Sequence, residues 1–102
     1  MGININGAIW CIQFVDRYNP IFIMDNGQYT IGVTDRNTQT IYVANDLDSE
    51  LLEKVIRHEI CHAIMFTEGI DMSIPTEECV CDILATYGDD VDRITNEIYR
   101  HI

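Results

Sequence analysis

The sequence predicts an α+β domain: an amino-terminal antiparallel β-sheet of three or four strands packed on one long helix, with two further helices in the carboxyl-terminal half. Three observations carry that expectation. β-Branched and aromatic residues alternate with polar ones through most of the first 44 residues, apolar residues recur every three to four positions from Leu51 onward, and no internal repeat or low-complexity segment divides the chain. At 102 residues and 47% hydrophobic the chain can build one core but not two, so residues 1–102 read as a single domain.

Each element has its own signal. Ile3 and Ile5, then Trp10, Ile12 and Phe14, alternate on either side of Asn6-Gly7, a strong short hairpin signal, so this segment is β. Tyr18-Asn19-Pro20 breaks it, and Asp25-Asn26-Gly27 marks a further turn. Gln28 to Thr34 and Thr38 to Ala44 flank Asp35-Arg36-Asn37 as a second hairpin, rich in the β-branched residues that suit a pleated sheet. If the strand from Thr38 to Ala44 lies at the sheet edge beside the helix, its free backbone groups can pair with an extended peptide.

Asp48 is a good cap for the long helix, and Leu47 with Leu52 has the spacing of a hydrophobic staple. A wide apolar arc from Leu51 to Phe66 leaves a narrow polar strip, on which Glu50 with Lys54 and Glu53 with Arg57 form i,i+4 pairs. Gly69 ends this helix. Ser73 or Thr76, with Pro75, starts a second helix to about Tyr87, with Val80, Ile83, Leu84 and Tyr87 directed into the core. Gly88 is expected to interrupt, and Asp89 to His101 to form a third helix with Val91, Ile94 and Ile98 on its apolar face.

Charge and composition exclude some classes of partner. A net charge of −11, with only six scattered Lys and Arg, disfavours nucleic acid and leaves a neutral or basic peptide as the easier partner. No segment approaches the roughly 20 apolar residues that span a bilayer. The amino terminus lacks the basic start and apolar run of a signal peptide, so the four Cys are expected as reduced thiols in a cytoplasm. Cys79-Val80-Cys81 does not have zinc-knuckle spacing and reads as packing.

The chemistry-bearing stretch is His58-Glu59-Ile60-Cys61-His62. An α-helix turns about 100° per residue, so His58 and His62 lie one above the other on a single face and can reach one metal ion. Glu59 stands beside them, placed to take a proton from water, which is the HExxH pattern of zinc peptidases. A catalytic zinc usually takes three protein ligands. The metzincin extension is excluded, because Met65 and Glu68 stand where its glycine and third histidine are needed, and Cys11 does not match the segment that supplies the cysteine ligand of peptide deformylase.

Glu78 and Asp82 offer two carboxylates one turn apart, Glu78 as third ligand and Asp82 as acceptor for the free N–H of a ligating His. Glu77 is a rival for the ligand role, but four residues beyond it stands Cys81, so Glu78 is preferred.

HExxH followed by ExxxD, after a β-rich first half and with HEICHA and EECVCD in sequence, resembles the small metallopeptidase-like proteins of phages and mobile elements in the ImmA/IrrE group. The resemblance runs from about Gly32 to Gly88 and implies a minimal zincin fold of the gluzincin type. It implies His58, His62 and Glu78 as Zn2+ ligands, Glu59 as general base and Asp82 behind the ligands. It also implies a peptide or protein substrate, such as a regulatory protein. Better known members are larger and carry an added domain for which this chain has no room. The alternative is an inactive zincin-fold module that binds metal or protein without cleaving it.

Overall fold

Asn6 and Gly7 both take positive φ, 50° and 96°, the backbone of a two-residue turn whose twist matches that of the strands it joins. The turn links β1 (Gly2–Ile5) to β2 (Ala8–Val15) as an antiparallel hairpin, and the Asn4 side chain accepts a hydrogen bond from the Gly7 amide at 2.8 Å. The computed structural model describes residues 1–102. From Val15 the chain makes an excursion through a 3-10 turn at Pro20–Phe22, which buries Phe22, and through the Asp25-Asn26-Gly27 turn. It re-enters the sheet as β3 (Gly32–Asp35) and returns as β4 (Thr40–Ala44).

The four strands lie in the order β1-β2-β4-β3, with β4 antiparallel to β3 but parallel to β2. The sheet is therefore mixed, which corrects the expected antiparallel one. The excursion after β2 crosses the sheet and delivers β3 to the far edge, so β4 turns back into the gap beside β2 and runs in its direction. Thr40, Ile41, Val43 and Ala44 are all buried, the near-continuous pattern of a strand covered on both faces. The edge beside the helix is consequently β3, not the strand from Thr38 to Ala44.

α1 (Ser49–Glu68) lies on the sheet and is capped as expected: the Asp48 carboxylate accepts from the Leu51 amide at 2.9 Å, and Gly69 closes the helix with φ 67°. Ile5, Trp10, Ile41, Val43 and Ala63 form the core between sheet and helix, with Leu47, Leu52, Ile56 and Ile60 around them. Trp10 Nε1 donates to Thr67 Oγ1 at 3.0 Å, so the buried indole keeps a partner.

Ser73 caps α2, a single helix over Ile74–Tyr99, and this corrects the expectation of two helices divided at Gly88. Gly88 stays out of the left-handed region that Gly69 uses, and a glycine within a helix costs only about 1 kcal/mol against alanine. Arg57 of α1 grips Asp89 just beyond it at 2.6 Å. Cys61, Met65 and Cys81 pack together between the two helices, with Ala85 buried one turn on. Val80, Ile83, Leu84 and Tyr87 are exposed rather than in the core, because no third layer lies behind α2. No helix is long and apolar enough to cross a membrane.

Candidate metal centre

Small side chains set the distance between α1 and α2, and that distance makes the site. Cys61, Cys81 and Ala85 fill the interface, so the first turns of α2 bring Glu77, Glu78 and Asp82 against the histidine face of α1. Burial and the neighbouring Cys61 push the Cys81 thiol above its ordinary range, which keeps it protonated in the metal-free chain.

His58 Nε2 and His62 Nε2 stand 3.1 Å apart. The Glu78 carboxylate spans both, Oε2 at 3.1 Å from His58 Nε2 and Oε1 at 2.9 Å from His62 Nε2. Each ring is held from its other nitrogen: His58 Nδ1 is 2.9 Å from Asp82 Oδ1, and His62 Nδ1 is 2.6 Å from Glu77 Oε2. A neutral ring that donates from Nδ1 keeps its lone pair on Nε2. In that tautomer two lone pairs and a carboxylate face one point with no donor among them, an arrangement that a bound cation would satisfy.

The donor set fits a cation well. A tetrahedral ion with ligands at about 2.0 to 2.1 Å holds them about 3.3 Å apart, and one ligand atom from each of His58, His62 and Glu78 already lies within 4.8 Å of the others. His58, His62 and Glu78 could hold a metal ion. Phe66 lies behind the His62 ring, stacked at 21° with centroids 6.3 Å apart, which limits how far that ring can turn.

Glu59 is buried beside this cluster, in a cleft of about 490 Å³ between β3 and α1. Burial raises its pKa from 4.5 to about 7, opposed in part by the His58 ring and a hydrogen bond from Thr34. The Thr34 hydroxyl lies 3.0 Å from the Glu59 backbone oxygen and 3.3 Å from its Oε1, so one proton is shared between two acceptors.

Gly32 on β3 is the reason the carboxylate fits. A Cβ there would come within 2.8 Å of Val55 Cγ1 and 3.1 Å of Glu59 Cγ. Lys54, one turn before His58, lines the same cleft; the expected Glu50–Lys54 pair does not form, whereas Glu53–Arg57 does at 2.8 Å.

All five side chains expected from the sequence thus come together at one mouth of the fold: His58, His62 and Glu78 around a point, Asp82 behind His58, and Glu59 in the adjoining cleft. Glu77 takes a place the sequence reading did not give it, behind His62 rather than as a rival ligand. Thr34 and Gly32 were also missed. An isolated glycine in a strand signals close approach of another group, and Gly32 carried that signal. No family model, no curated protein and no solved structure matches this chain, so the site is read from its own residues alone.

Proposed function

We propose that this chain is a zinc-dependent metallopeptidase of the gluzincin type, related to the ImmA/IrrE group, that hydrolyses peptide bonds in a peptide or protein substrate in the cytoplasm. The observation that carries the reading is the convergence of His58 Nε2, His62 Nε2 and Glu78 on one point, with the buried Glu59 carboxyl opening into the same cleft. Two imidazoles and one carboxylate suit zinc, and the spacing of Glu59 between the histidines favours a hydrolytic zinc site over the open iron site that also uses two His and a carboxylate.

Zinc bound there supplies Lewis acidity, lowering the pKa of water from 15.7 toward about 7 and polarising a carbonyl. The residues of the chain do the rest. His58, His62 and Glu78 bind the ion, while Asp82 and Glu77 fix each imidazole in the tautomer that presents Nε2. Glu59 takes a proton from the attacking water on a carboxylate oxygen and returns it to the leaving amine.

A carboxyl with a pKa of about 7 suits both tasks at neutral pH, and a nearby cation would draw that value down toward the ionised base. The outer edge of β3 borders the cleft, so an extended peptide can pair with its free backbone groups and bring its carbonyl to Glu59.

Comparing wild type with Glu59→Gln tests the reading. Both proteins are expected to retain zinc, and cleavage of a peptide library by the variant is expected to fall by at least about a thousandfold. Zinc in both proteins with cleavage by neither favours the inactive zincin-fold module that binds without cutting. Equal cleavage by both overturns the role of Glu59.

A further inference from the structure

Beyond Asp89, every residue of α2 is exposed. Its only buried residues are Cys81 and Ala85, and nothing from Asp90 to Tyr99 is covered. A free helix shorter than about 12 to 15 residues is marginal in water, so an uncovered overhang of this length calls for a partner. Its apolar residues are not scattered. Val80, Leu84, Tyr87, Val91, Ile94 and Ile98 follow one another at alternating steps of four and three, the 3.5-residue repeat of a coiled-coil seam. This stripe lies on a different side from the buried Cys81 and Ala85, with Leu84 and Val91 bordering a groove beside Arg57 and Ile60 of α1, and Tyr87, Val91 and Ile98 are 56%, 62% and 57% exposed.

We propose that this stripe is the seam of a homodimer, in which two copies of the chain pair their α2 helices in parallel and in register. Two features of the face favour a second copy as the occupant. The six residues expose roughly 600 Å² per chain, at the upper limit of what a monomer shows and close to the roughly 800 Å² per partner of a standard interface once flanking residues are added. The charges beside the seam also suit self-pairing. Asp90 and Glu97 line one flank, and Gly88 and Thr95 the other. Parallel pairing sets each acidic flank against the uncharged flank of the other copy, whereas antiparallel pairing would oppose Asp90 and Glu97 across the seam. Leu84, Val91 and Ile98 then occupy one layer position and Val80, Tyr87 and Ile94 the other.

The metal-binding carboxylates lie on a different side of α2, so pairing leaves the cleft open. Each copy carries −11, so the dimer should tighten as salt screens the repulsion.

Sedimentation equilibrium on the full chain, from about 1 to 100 µM, tests this. The expected mass is twice 11.7 kDa, with mass and far-ultraviolet helicity falling together on dilution. Val91→Glu should raise the dissociation constant by about a hundredfold or more, because it puts an unpaired charge in the seam. Val91→Gln provides a milder version, and the near-ultraviolet signal of buried Trp10 shows that either variant is folded. Oxidised Ile98→Cys should give a covalent dimer above the wild-type background. A wild type that stays monomeric at about 100 µM overturns the proposal. So does a dimer indifferent to both Val91 variants, or one that Ile98→Cys fails to link.

Discussion

At the scale of single residues, the site is a problem of where positive charge comes from. The two Nε2 atoms lie 3.1 Å apart, each has a Glu78 oxygen within 3.1 Å, and the groups behind the imidazoles are carboxylates as well. Removing an acceptor behind a ligating imidazole typically costs 10- to 100-fold in metal affinity, so Glu77→Gln and Asp82→Asn should each weaken binding by about that factor, measured by competition with a chelator. Glu77→Gln should be the more damaging, because its carboxylate makes the shorter contact with the more buried ring.

Glu59 gives a second prediction, for the metal-free protein. Its pKa of about 7 in the folded chain lies above the ordinary 4.5, so the native state holds the proton more tightly than the unfolded state. Stability should therefore fall as pH rises from 4.5 to about 7 and level off above that. Thermal melts in chelator should find Glu59→Gln more stable than wild type at pH 8, by roughly 10 °C or more, and about equal to it near pH 4.

At the scale of elements, the position of α2 on α1 decides whether Glu78 reaches the histidines. Cys81 is fully buried one turn from Glu78, so a larger side chain there must push the helices apart. Cys81→Leu should lower stability by about 1 to 3 kcal/mol in a denaturant titration and also sharply reduce metal affinity. Cys81→Ala should cost stability while leaving metal affinity within a few-fold, because the helices can still meet.

What could be read from the sequence here follows from how far each signal reaches. His58, Glu59 and His62 share one helical turn, and Glu78 and Asp82 share another, so helical geometry alone fixed each set. The caps at Asp48, Ser73 and Gly69 are local too. The role of Glu77 was not local. It stands about 100° around the helix from Glu78, and only the angle at which α2 crosses α1 turns it toward His62. Gly88 misled because a glycine can end a helix or merely weaken it, and the grip of Arg57 on Asp89 belongs to tertiary structure.

At the scale of the whole molecule, strand neighbours escaped the sequence reading for the same reason. Alternation tells which residues share a face and nothing about which strand lies beside which, so the parallel pairing of β2 with β4 was not visible. The unbroken apolar run Ile41 to Ala44 was the available hint that β4 is central. The fold as assembled puts a sheet edge, a helix face and the start of a second helix around one cleft, on a chain whose overall charge attracts cations.

The central claim is that His58, His62 and Glu78 bind one cation together. Metal content per chain after zinc loading and exhaustive dialysis tests it most directly, for wild type and for His58→Ala, His62→Ala and Glu78→Ala. The account predicts one zinc per wild-type chain and a loss of nearly all of it in each variant. A wild type that holds no metal, or a Glu78→Ala chain that binds zinc as tightly as wild type, would contradict it.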